Sequence, residues 1–121
     1  MFQNNNESFP KRGEIWIAKL EKIIENSKDF RPVLIISDNE QNEFFDSVTV
    51  VPITTKYTDE VQDFEIFVKA DYENGLDKDS KILLNLPFFI NKNLRLKGYL
   101  GFANESLMRD AKKAFNYAFD W

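Results

Sequence analysis

The chain has 121 residues, 43% hydrophobic and 30% charged, with a net charge of −4; this is the length and make-up of one folded domain, not of a disordered segment. It contains no cysteine and no histidine, which excludes disulfides, cysteine nucleophiles, Ser-His-Asp triads and the usual zinc constellations. No apolar run approaches the ~20 residues of a membrane span, and the start, MFQNNNESFPKRG, has no apolar signal core, so the cytoplasm is the expected location, with no membrane contact.

Residues 1–9 are rich in Asn and Gln and read as a flexible extension, followed by a single domain over 10–121. Glu14 to Leu20 reads as a strand in which Ile15, Ile17 and Lys19 alternate with Trp16, Ala18 and Leu20. Glu21 to Phe30 is charged and carries no strand pattern, so it is predicted as a loop. Pro32 to Ile36 is almost continuously apolar, as in a strand buried on both faces. Asn39 to Phe45 is a polar connection with room for one helical turn. Ser47 to Ile53 is the next strand, and Pro52, which has no N–H to donate, predicts an edge or a bulge near its end.

Thr58 to Asp63 is a polar loop, and Phe64 to Ala70 alternates again. Asn74-Gly75 marks a turn. Lys81 to Leu86 reads as a further strand followed by Pro87, Phe88 and Phe89, with a short helical segment within 91–97 and a last strand at 99–102. Asn104 is a candidate N-cap, and beyond it Leu107, Met108, Ala111, Phe115, Ala118 and Phe119 recur at helical spacing. Many short strands, one terminal helix and no βαβ alternation predict a mainly β fold with a C-terminal α-helix, arranged as a compact barrel.

Charge is unevenly spread. From Asp38 to Asp79 twelve acidic residues face only Lys56, Lys69 and Lys78, a net of −9, so the rest of the chain sums to +5 against the total of −4. Affinity for phosphate depends on the local patch and not on the total, so this division permits a nucleic-acid face. Solvated acidic loops explain it equally well.

Two residues stand beside strands without being needed for a core. Arg31 precedes Pro32, which restricts it to extended conformations, and its planar, permanently charged guanidinium can grip a phosphate through two parallel bonds. The plain alternative is a surface arginine paired with Asp29 or Glu25. Thr54 shares a strand face with Val48, Val50 and Pro52, while Thr55 faces the other way. A threonine there can donate to a phosphate oxygen; the plain alternative is β-propensity.

Five strings stand in order along the chain: RGEIW at 12–16, RPVLIIS at 31–37, VVPITT at 50–55, GLDKDSKILL at 75–84 and NESLM at 104–108. In that order, over nearly the whole chain from Lys11, they resemble the PemK/MazF family of bacterial toxin endoribonucleases. The resemblance implies an SH3-like (PemK/CcdB-like) barrel with a C-terminal helix, a homodimer, and a cognate antitoxin peptide as inhibitor. It implies cleavage of single-stranded RNA with no metal or other cofactor, by 2′-hydroxyl attack, leaving a cyclic phosphate and a 5′ hydroxyl. The family's catalytic arginine falls on Arg31 and its catalytic threonine on Thr54, and RNA contacts are expected from Glu25, Asn26, Lys28, Thr55, Asn85 and Phe88. Arginine stays protonated and is a poor base, so the group that takes the 2′ proton is left open, with Glu25 one candidate.

The chain departs from the family pattern at two places. The family's glycine-bearing loop with Ser-Glu-Gln is replaced by the stretch from Glu25 to Phe30, which has no glycine. Its polar Gln-x-Arg-Thr stretch is replaced by Leu86, Pro87, Phe88 and Phe89. Adjacent phenylalanines are either a stacking platform for bases or part of a core or interface, and cleavage specificity does not carry over. The alternative function is that of a catalytically inactive PemK/CcdB-like protein that binds a protein partner, as gyrase-poisoning toxins do, through C-terminal residues such as Trp121.

Overall fold

β1 (Glu14–Lys19) and β2 (Phe30–Ile35) pair antiparallel through Ile15↔Leu34 to Lys19↔Phe30, and β2 pairs in turn with β3 (Ser47–Thr54). The computed structural model describes residues 9–23 and 29–121, so the expected extension over 1–9 lies outside the described residues, except Phe9. β4 (Glu65–Val68), β5 (Ser80–Leu83), β6 (Phe88–Asn91) and β7 (Leu96–Phe102) complete a seven-stranded sheet of order β4-β5-β3-β2-β1-β7, with β6 also on β3. Short helices α1 (Asn39–Phe44) and α2 (Lys92–Arg95) bridge strands, and the one long helix is α3 (Glu105–Phe119).

The alternation read from the sequence decides which side chains each face buries. Ala18, Leu20, Val33, Ile35, Val48, Val50 and Ile90 form one cluster, with Trp16, Phe88 and Leu96 packed against it. The strands β6-β3-β2-β1-β7 curl round this cluster, and α2 joins β6 to β7. Among the described residues β6 and β7 do not pair, so the expected barrel is open along that seam. Arg95 lies at the seam and donates from Nη1 to the carbonyls of Lys19 and Glu21, at 3.3 and 3.1 Å.

The opposite face carries the second core. Ile15, Leu34, Val51, Ile53, Ile82 and Leu84 meet Ala111 and Ala114 of α3, with Met108 and Phe115 packed alongside. The predicted cap holds: Asn104 Oδ1 accepts from Leu107 N at 2.9 Å. β2 is buried on both faces, since Val33 and Ile35 enter one cluster and Leu34 the other.

Four element readings change in detail. Pro52 is not at an outer edge but in register with Val33. On the other edge of β3, β6 ends its pairing at Val50 and β5 begins at Ile53. Pro52 therefore falls in the break between two partners, a place that tolerates a missing N–H. The strand expected over 81–86 stops at Leu83, where Leu86 N bonds the Leu83 carbonyl at 3.2 Å. Phe88 to Asn91 then form β6, a strand that the sequence reading left as a tail after Pro87. β7 begins at Leu96, three residues before the expected start, because β1 supplies it with a pairing edge.

Candidate active site

Arg31 and Thr54 end on one face of the sheet. On β2, Arg31 has the parity of Val33 and Ile35; on β3, Thr54 has the parity of Val50 and Pro52; and these four apolar positions, Pro52 excepted, line the barrel cluster. The ladder runs Ile35↔Val50, Leu34↔Val51, Val33↔Pro52. The ladder ends at Val33↔Pro52; extrapolated by two residues, its register brings Arg31 to the level of Thr54.

On its other side Arg31 pairs with Ala18 of β1, which is fully buried and leaves the long arginine stem lateral room. Thr54 pairs with Lys81 of β5. Two paired rows thus reach this end of the sheet, Leu96, Ala18 and Arg31 on one side and Thr54 and Lys81 on the other.

The chemistry of the two groups fits an anion. Arg31 is half-buried, and among the described residues no hydrogen bond or ion pair engages its guanidinium; Asp29, one plain partner considered for it, forms none with it. Thr54 is 9% exposed, and its Oγ1 accepts from Lys56 N at 3.1 Å. That bond occupies a lone pair and leaves the hydroxyl hydrogen to donate outward. Exposed Lys56 and half-buried Arg95 add positive charge at the same end of the barrel.

The other expected contacts divide. Thr55 follows directly on Thr54 and is exposed. Phe88 lies on the same face, in register with Val50, about 13 Å along β3 from Thr54 at ~3.3 Å per residue; its ring packs against the barrel cluster. The ring that faces solvent is Phe89, 74% exposed and in register with Thr49 on the other face. Asn85 is half-buried in the turn after β5, with its Oδ1 buried and without a hydrogen-bond partner. Glu25, Asn26 and Lys28 lie outside the described residues.

Sequence reasoning missed Lys81 and Glu65. Lys81 is 6% exposed, and its Nζ lies 2.8 Å from Glu65 Oε1. The available signal was a lysine at the head of an otherwise apolar run, SKILL at 80–84, where core packing has no use for a charge.

The comparisons with known proteins identify this open sheet with its C-terminal helix as the fold of a class of small toxins. The model of the PemK-like, MazF-like toxin of type II toxin–antitoxin systems matches residues 11–119. The Mycobacterium tuberculosis toxin MazF-mt6 is 30% identical, with a TM-score of 0.73 over 88% of this chain and 96% of that one. A mycobacterial endoribonuclease in complex with its cognate antitoxin gives 0.75 at 20% identity, over 92% and 95% of the two chains. A MazE-MazF structure from Deinococcus radiodurans gives 0.69 at 16% identity, over 90% and 93%. No curated protein sequence matches. The chain belongs to the PemK-like, MazF-like family of type II toxins.

Proposed function

We propose that Arg31 and Thr54 are the catalytic pair of this toxin, carried by a single domain over residues 10–121. The protein is the toxin component of a type II toxin–antitoxin system, an endoribonuclease. Its substrate is single-stranded RNA, and it acts in the cytoplasm as a homodimer restrained by a cognate antitoxin. Toxin–antitoxin complexes among its structural neighbours support that last assignment. The observation that supports the site is the register of β2 with β3, which continued past Val33↔Pro52 brings Arg31 level with Thr54, with Arg31 free of any carboxylate among the described residues.

In the reaction the ribose 2′ oxygen attacks the adjacent phosphorus, and negative charge builds on the phosphoryl oxygens. The Arg31 guanidinium takes up that charge through two parallel N–H bonds. Thr54 donates its hydroxyl hydrogen to one of the same oxygens. Each such preplaced donor is typically worth on the order of 3 kcal/mol, about a hundredfold in rate. The bond to the 5′ oxygen breaks, and that oxygen takes a proton from water in place of the one the 2′ hydroxyl gives up to solvent, leaving a 2′,3′-cyclic phosphate and a 5′ hydroxyl. Thr55, next to Thr54, together with Asn85 and Phe88 supply further RNA contacts. Glu25, Asn26 and Lys28, which precede Arg31 in sequence, are further candidate RNA contacts.

The test is incubation of the purified protein with mixed-sequence RNA in chelator. Wild type cleaves to 5′-hydroxyl products, and Arg31→Ala does not. An inert wild type, or equal cleavage by Arg31→Ala, overturns the assignment.

A further inference from the structure

The proposed chemistry makes no use of the residue across from Thr54 on β5. Lys81 is buried, so its ammonium requires partners, and both are present. Nζ donates to Glu65 Oε1 and to the backbone carbonyl of Glu60, each at 2.8 Å. Glu65 Oε1 also accepts from Gln62 N at 3.0 Å, Glu65 N donates to the Gln62 carbonyl at 3.0 Å, and Glu60 N donates to the Tyr57 carbonyl at 3.1 Å. These bonds tie down the return leg of the loop that leaves the sheet at Thr54.

The outgoing leg of that loop holds the catalytic hydroxyl. Lys56 N donates to Thr54 Oγ1, and the next residue, Tyr57, sits at φ 56°. That left-handed backbone is unfavourable for a bulky residue and persists only where its surroundings impose it. With Tyr57 largely exposed, the restraint comes through its backbone, by way of Glu60 and Lys81.

We infer that Lys81 is a positioning residue for RNA cleavage: its buried ammonium clamps the 55–64 loop at Glu60, and the clamped loop sets the direction of the Thr54 hydroxyl through Lys56 N. The pair with Glu65 is a poor device for stability, because two apolar residues of similar volume usually serve as well or better than a buried ion pair. An apolar pair cannot hold the Glu60 carbonyl. The inference rests on the assignment of Thr54 above.

The experiment uses two variants with two readouts. Lys81→Met combined with Glu65→Met removes both charges and leaves no unpaired buried ion. Glu65→Gln lowers stability by leaving the buried ammonium without a counter-ion, but in the folded protein it keeps the Nζ bond to Glu60. In the double variant, exchange of the Lys56 amide, measured without RNA, accelerates roughly tenfold or more, and kcat falls roughly tenfold with KM little changed, the size expected for one lost orienting bond. In Glu65→Gln both readouts stay near wild type. Unaltered Lys56 exchange or wild-type kcat in a folded double variant overturns the clamp, as does an equal loss in Glu65→Gln. If the double variant does not fold, Lys81→Met combined with Glu65→Gln, which leaves neither charge, carries the same expectations. Exchange needs no substrate, so a wild type inert toward RNA removes the nuclease assignment while the clamp is still judged by the Lys56 amide.

Discussion

Thr54→Val isolates one hydroxyl. Valine has nearly the same shape and β-propensity, so at a position 9% exposed it keeps the packing and the end of β3. Two things are lost: the acceptor for Lys56 N at 3.1 Å and the donor aimed at the phosphate. The first is a neutral hydrogen bond at a partly buried site, worth about 1 kcal/mol, or about 4 °C in Tm for a domain of this size. The second acts only as charge builds on the phosphoryl oxygens and is worth about 3 kcal/mol, a fall of about a hundredfold in kcat. Single-turnover cleavage of a fluorogenic RNA, together with a thermal melt, separates the two. Thr54→Ser, which retains the oxygen, recovers most of the rate. A Thr54→Val rate within about threefold of wild type refutes the hydroxyl's role, because threefold is far below the worth of a preplaced donor.

Arg31→Lys keeps a charge but loses the two-pronged geometry, so cleavage falls by about tenfold or more while the melt is unchanged; equal rates would assign Arg31 to charge alone. Phe88→Ala removes a ring packed on the barrel cluster and costs about 2–3 kcal/mol, whereas Phe89→Ser, at a solvent-facing ring, stays within about 0.5 kcal/mol; urea denaturation compares them. Gly75→Ala drives a Cβ into the Leu100 carbonyl at φ +69°, so loss on the order of 3 kcal/mol or misfolding is expected, read as lost soluble yield and a lowered Tm. Asp38 caps α1, and hydrogen bonds from the Gln41 backbone and then its side chain hold its carboxyl below the ordinary 3.8, with Arg12 contributing less. Its charge therefore supports the cap fully above that ordinary value and is lost only as pH falls through the lower folded one. An NMR titration should place the Asp38 midpoint below 3.8, and Gln41→Ala should move it up; a midpoint at or above the ordinary value contradicts the cap.

The positions that alternate or recur were legible without coordinates. β1, β3 and α3 appear where Ile15, Val48 to Ile53 and the Leu107-to-Phe119 stripe place them, because burying one face imposes a period of two or of 3.6 on the chain. Arg31 and Thr54 were legible as individuals too, since each is a polar group standing at the end of an apolar strand. β6 was not legible: Phe88 to Asn91 are strand only because the first half of β3 offers an unpaired edge. The division of labour between Phe88 and Phe89 was equally hidden, since adjacent phenylalanines reverse faces with a one-residue change of register.

What the amino-acid order determined by itself is local: which residues extend, which coil, which carry charge that no core requires. Which of those residues meet was decided only by the register between strands far apart in sequence. A shift of one residue between β2 and β3 would send the Thr54 hydroxyl to the face opposite Arg31, and the contact of Lys81 with Glu60 and Glu65 spans 16 to 21 residues of chain. Pairings at that distance depend on the whole sheet closing at once round its buried clusters, and no single stretch of sequence encodes them.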